Sequence, residues 1–99
     1  MDLNRQLKNA IATGTLRFGQ RQALDACARG EAKLVIFAAN CPIEFTDELH
    51  ANHPEVTKFR SGLVNRELGI ACSKPFSVST ISIIDAGESD LLQLETNIE

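Results

Sequence analysis

Cysteines are few in this sequence and form no pattern. Cys27, Cys41 and Cys72 are an odd number at spacings of 14 and 31, without a C-x-x-C pair or an N-terminal secretion signal. That argues against a disulfide framework and for a reducing cytoplasm. No apolar run approaches the ~20 residues of a membrane helix, so no membrane partner is expected. His50 and His53 stand three apart with no nearby cysteine, and read as surface histidines in the turn before Pro54 rather than as metal ligands. Internal repeats and low-complexity segments are absent. At 99 residues the chain is one domain, 1–99, too short for a barrel enzyme or a two-domain dinucleotide enzyme.

Basic residues are also missing from one end. From residue 85 onward there is no Lys or Arg, while Asp85, Glu88, Asp90, Glu95 and Glu99 contribute five negative charges. The first third is the reverse: Arg5, Lys8, Arg17, Arg21, Arg29 and Lys33 face only Asp2, Asp25 and Glu31, a net +3. The formal charge of -3 is therefore a C-terminal property, and residues 1–84 carry +2. The acidic end reads as solvated or frayed surface. A neutral or basic face elsewhere stays open to a nucleic acid, whose affinity for proteins comes mainly through its phosphates.

What is present alternates between two periods. Asp2 can cap a helix with Leu3, Leu7, Ala10 and Ile11 on one stripe and Gly14 as its stop. Thr15 to Phe18 is a short strand that turns at Gly19 directly into a helix over Gln20 to Arg29. Leu34 to Ala39 is a continuous apolar run, as expected of a central strand covered on both faces. Pro42 ends it, and Thr46-Asp47-Glu48 reads as the start of a short helix reaching about Asn52. Val56 to Phe59 is a short strand, Ser61-Gly62 a turn, and Asn65 to Cys72 a helix despite Gly69. Ser77 to Ile84, with Val78, Thr80, Ser82 and Ile84 opposite Ser79, Ile81 and Ile83, is the last strong strand, followed by a turn and one further helical turn. The alternation predicts a three-layer α/β/α sandwich with a mixed sheet of four or five strands.

Two loops could carry chemistry. At Phe18-Gly19-Gln20-Arg21, glycine permits close backbone approach, and the first N–H groups and dipole of the following helix favour an anion. Arg17 and Arg21 add charge there, although a plain turn with surface arginines fits the same residues. No P-loop lysine follows, so a nucleotide motif is not supported. The second loop, Ser73 to Val78, combines a stiffening Pro75, the charge of Lys74 and an aromatic Phe76 in polar surroundings. This combination stacks an unpaired base beside phosphate contacts, unless Phe76 is simply a core residue. Asn40, at the end of the central strand, is expected close by.

Phe-Gly-Gln-Arg-Gln-Ala-Leu (18–24), Arg-Gly-Glu-Ala-Lys-Leu-Val-Ile-Phe-Ala-Ala-Asn-Cys-Pro (29–42), Glu-Leu-Gly-Ile-Ala-Cys-Ser-Lys-Pro-Phe-Ser-Val-Ser (67–79) and Asp-Ala-Gly-Glu-Ser-Asp (85–90) follow one another in an order and spacing that resemble the family of ribosomal protein thirty of the archaeal and eukaryotic large subunit. The wider group is that of kink-turn RNA-binding proteins. The resemblance implies an α/β/α sandwich, monomeric when free, that binds a kinked internal loop of large-subunit rRNA beside neighbouring ribosomal proteins, with no catalysis, no cofactor and no metal. Carried over by residue, the implied RNA contacts are Phe18, Gly19, Gln20 and Arg21, then Asn40, Asn65 and Glu67, then Lys74, Phe76 and Val78. The last two are expected to form the apolar surface against unstacked bases.

Departures from the family pattern are local. Ser73 stands where the family usually has glycine, and Glu44 to Val64 matches poorly. The related kink-turn branch of ribosomal and small-ribonucleoprotein proteins has an Asn-Glu pair where this chain has Gln20-Arg21, which favours the thirty branch. A free kink-turn protein serving small ribonucleoproteins, or regulating its own transcript, would share the same surface. A small thiol enzyme with His50 or His53 as base is the alternative from another class. Cys27 and Cys72 fall on apolar helix faces, where burial is the usual outcome.

Overall fold

Asp2 accepts a hydrogen bond from the Arg5 N–H at 3.2 Å and so caps helix α1, Leu3–Thr13, which buries Leu7 and Ala10 and ends at Gly14. Ile11, assigned to the same stripe by its spacing, lies at the margin of the buried face and is 38% exposed. Strand β1, Thr15–Phe18, leads through Gly19 into α2, Gln20–Ala28, which buries Ala23, Ala26 and Cys27. The computed structural model describes residues 1–98.

The remaining elements are β2 (Leu34–Phe37), α3 (Ile43–Asn52), β3 (Thr57–Arg60), α4 (Asn65–Ala71), β4 (Thr80–Asp85) and a 3₁₀ turn at Leu91–Gln93. Helix α3 begins three residues earlier than the expected start at Thr46. Pro42 occupies the cap position, where its missing N–H costs nothing, and its carbonyl accepts the N–H groups of Phe45 and Thr46. Thr46 is thus fully buried in the helix, its hydroxyl donating to the Ile43 carbonyl at 3.1 Å. The strand expected over Ser77 to Ile84 begins only at Thr80, and the segment before it lies in a loop against α4.

The four strands take the order β1-β4-β2-β3, with β4 antiparallel to β1 and β2, and β2 parallel to β3. The C-terminal ends of β1, β2 and β3 therefore share one end of the sheet with the N-terminal start of β4. Side-chain alternation along the inner strands separates two cores. Leu34, Ile36, Ile81 and Ile83 pack with Leu7, Ala10, Leu68 and Ala71 on the face covered by α1 and α4. Val35 and Phe37 pack with Ala23, Ala26 and Leu49 on the face covered by α2 and α3. These are the three layers expected, with four strands in the sheet. Among the described residues, no helix is long and apolar enough to cross a membrane.

The described acidic residues of the C-terminal segment are solvated, as expected, but the segment is not frayed. Beyond the 3₁₀ turn it runs along the outer edge of β3: Lys58 N–H donates to Thr96 Oγ1 at 3.2 Å, and Asn97 N–H to the Lys58 carbonyl at 3.1 Å. The Asn97 side chain then accepts from Arg60 N–H at 2.7 Å and donates to the Arg60 carbonyl at 3.0 Å. An edge strand's open backbone groups are thereby satisfied from within the chain. Lys58 itself points inward and is fully buried, donating to the His53 carbonyl, and burial pushes its ammonium pKa down.

Candidate nucleic-acid interface

Four segments meet at the end of the sheet where β1, β2 and β3 finish and β4 begins. At the first, Gly19 has φ 104° and ψ 161°, a conformation that side chains rarely adopt, so the turn from β1 into α2 needs glycine. Its N–H donates to the Thr80 carbonyl at 2.8 Å, fastening the turn to β4. No side chain caps α2, and its first N–H groups face the end of the sheet. Arg21 is exposed and makes no ion pair among the described residues, whereas Arg17 leans toward Glu31 at 3.8 Å and Arg29 pairs with Asp25 at 3.1 Å. Two of the six basic residues of the first third are therefore matched, and Arg21 is the cation left available at this turn. Phe18 and Gln20 are half-buried beside it.

The second and third segments are the loop after β2 and the start of α4. Val64, at the cap of α4, has no polar side chain, so the helix is capped from elsewhere. Asn40 Oδ1 accepts from Asn65 N–H at 2.9 Å, and Asn40 Nδ2 donates to Asn65 Oδ1 at 3.1 Å. Glu67 reaches back to accept from Val64 N–H at 3.1 Å. Asn40, Asn65 and Glu67 are brought together as expected, and each has a structural task.

The fourth segment, Ser73 to Ser79, descends from α4 to β4. Helix α4 ends in a Schellman motif: Ser73 N–H donates to the Ile70 carbonyl and Lys74 N–H to the Gly69 carbonyl, both at 2.9 Å, with Ser73 at φ 58°. A glycine is the usual residue there, and Ser73 is the only non-glycine residue with positive φ among those described. Gly69, read from sequence as a weakness in α4, has a different purpose. A Cβ there would overlap the Phe76 carbonyl, so glycine lets the loop lie directly on the helix. Phe76 is 56% exposed, which settles the alternatives in favour of a surface aromatic. Lys74 Nζ sits 4.5 Å from the centroid of the Phe18 ring, joining this loop to the first by a cation–π contact.

Val78 corrects the sequence reading. It is 2% exposed and belongs to the core beside Leu68 and Ile81, while its N–H donates to the Asn65 carbonyl at 3.0 Å. Its apolar side chain faces inward to anchor the loop. The neighbour that shares the surface with Phe76 is Ile70, 66% exposed, and a shallow cavity of about 380 Å³ is lined by Arg66, Ile70, Lys74, Pro75, Phe76 and Ser77. Arg66 and Ile70 escaped the sequence reading. Ile70 is detectable, because it is out of phase with the buried Leu68 and Ala71 of the same helix.

No comparable machinery surrounds the cysteines. All three are buried, and burial pushes each thiol up, that of Cys72 to about 11, the opposite of what a thiolate nucleophile requires. His53 faces Glu55 at 3.8 Å, and no group of three or more His, Cys, Asp or Glu is placed to hold a metal ion among the described residues.

Comparison with known proteins places the chain as a whole. The chain is 44% identical over 95% of its length to large ribosomal subunit protein eL30 of Methanospirillum hungatei, covering 98% of that protein. It is 41% identical over 96% of its length to the eL30 protein of Methanoregula boonei, covering 97% of it. A solved structure of a protein of unknown function from Bacillus halodurans superposes with a TM-score of 0.77 at 25% identity, over 93% of each chain. Residues 1–93 match one family model, and with the fold and these relatives in agreement the chain belongs to the Ribosomal protein L7Ae/L30e/S12e/Gadd45 family.

Proposed function

We propose that the chain is a structural constituent of the large ribosomal subunit that binds a kinked internal loop of ribosomal RNA. The observation carrying this reading is the convergence of the four segments on one sheet end, where exposed Phe76 lies among Lys74, Arg66 and Ile70. A solvent-exposed aromatic flanked by cations suits an unstacked base with its phosphates. The uncapped N–H groups of Gln20 and Arg21, with the Arg21 guanidinium, receive phosphate oxygens, and Gly19 keeps the backbone open to them. Phe18 holds Lys74, Asn40 and Asn65 offer amides to base edges, and Glu67 and Val78 fix the helix start and the loop beneath Phe76. Neighbouring ribosomal proteins complete the setting, and the free cytoplasmic protein is a monomer.

Titration of a labelled kinked-loop RNA tests the reading. Phe76→Ala is expected to weaken binding by roughly 1–3 kcal/mol, the usual worth of base stacking. Arg21→Ala is expected to lower the slope of log affinity against log salt by about one contact. Unchanged affinity for Phe76→Ala removes the stacking role. Sedimentation with large subunits through a moderate salt wash separates a ribosomal protein from one serving a free RNA.

A further inference from the structure

The Arg60 guanidinium is spent on the loop that presents Asn40. Its Nη1 lies 3.1 Å from the Ala38 carbonyl, 3.3 Å from that of Ala39 and 3.1 Å from that of Cys41, and its Nη2 donates to Thr46 Oγ1 at 2.9 Å. The same group sits 5.9 Å from the centroid of Phe37, the last residue of β2. The three carbonyls share the two N–H groups of Nη1, the Ala38 carbonyl also accepting from Cys41 N–H, while Nη2 reaches Thr46, so one planar fork ties the loop to α3. The backbone of Arg60 is in turn clasped by the Asn97 side chain on both its N–H and its carbonyl. A contact chain thus runs from the C-terminal segment through Arg60 and the 38–41 loop to Asn40, and from there to the Asn65 N–H.

We propose that Arg60 is a positioning residue of the RNA interface, fixing the 38–41 loop so that Asn40 is held against the start of α4 and presented to RNA. The inference builds on the RNA-binding reading, but its geometric half can be measured without RNA. Lysine keeps the charge at this site and loses the fork, so Arg60→Lys is the discriminating variant. Asn97→Ala, which frees the Arg60 backbone and leaves the guanidinium intact, is the milder second lever.

Amide hydrogen exchange at Asn65 reports the loop, because that N–H is donated to Asn40. In Arg60→Lys it is expected to exchange at least tenfold faster while the Ile36 amide of β2 keeps its protection, with Asn97→Ala moving Asn65 less in the same direction. Affinity for a kinked-loop RNA is expected to fall about tenfold, and this loss is expected to vanish in an Asn40→Ala background. An unchanged Asn65 amide in both variants overturns the proposal. So does an equal rise at Ile36, the sign of general destabilisation, and so does an undiminished affinity loss in the Asn40→Ala background, which would place Arg60 on the RNA itself. If the unaltered chain does not bind the RNA, the RNA-binding reading falls, while Asn65 exchange still decides whether Arg60 sets the loop.

Discussion

Asn40 and Asn65 exchange two hydrogen bonds across 25 residues of sequence, the Asn65 N–H donating to Asn40 Oδ1 at 2.9 Å and the Asn40 amide to Asn65 Oδ1 at 3.1 Å. Helix α4 thereby receives from the loop after β2 the cap that its own Val64 cannot supply. Asn40→Ala is expected to lower stability by about 1 kcal/mol, the usual cost of a lost cap, and to weaken RNA binding more than this stability loss alone would. Asn40→Asp keeps the acceptor but sets a carboxylate oxygen against Asn65 Oδ1, and is expected to lie between the two in urea denaturation.

Gly69→Ala reverses the rule for helices. An exposed helix interior gains about 1 kcal/mol from this change, but here the methyl group meets the Phe76 carbonyl. We expect a net loss of roughly 1–3 kcal/mol, as for an overpacked site, together with a shift of the Phe76 resonances in NMR spectra.

Ser73→Gly runs the other way. Relief of the left-handed conformation at φ 58° is worth about 1–2 kcal/mol, of which about 0.4–1 is returned to the more flexible unfolded chain. The variant is expected to be more stable by roughly 0.5–1 kcal/mol in equilibrium unfolding, with RNA affinity preserved.

Cys72 predicts the alkaline limb of the stability curve. Burial raises its thiol from the usual 9.0 to about 11, so the folded chain holds a proton that the unfolded chain releases. The sign follows: this contribution is fully present below pH 9 and is lost as pH rises from 9 toward 11, a fall on the order of 2–3 kcal/mol. Cys27 and Cys41 act in the same direction, whereas Lys58, lowered from 10.5, acts in the opposite one. Cys72→Ala is expected to flatten the decline in unfolding free energy measured between pH 8.5 and 10.5. At neutral pH the native thiols are expected to react slowly with iodoacetamide.

Local patterns made the layered fold legible. The apolar run Leu34 to Ala39 reads as an inner strand, of which Leu34 to Phe37 forms β2, and the stripe of α1 and the Gly19 turn need no tertiary information. The start of α3 is not legible, because Thr46 resembles a cap while Pro42, the actual one, resembles a breaker. The residues of its own loop leave Phe76 open between core and surface, and only the resemblance places it outside, because its exposure depends on Gly69, whose missing side chain lets the loop ride on α4. Val78, placed at the RNA surface by the resemblance, instead turns into the core from the loop ahead of β4, a direction that no alternation pattern gives. Arg60 carried no signal at all, since the carbonyls it gathers come from a loop some twenty residues earlier and meet it only in the folded chain.

The segment lying along β3 also bears on how the protein survives before it meets a partner. With Thr96 and Asn97 occupying the backbone groups of Lys58 and Arg60, that side of the sheet offers no template to another chain. A chain ending at Leu94 would expose them, and its expected fault is concentration-dependent self-association rather than unfolding. The acid-rich terminus is thus a built-in chaperone for one margin of the sheet, sealing it while its charge keeps copies apart.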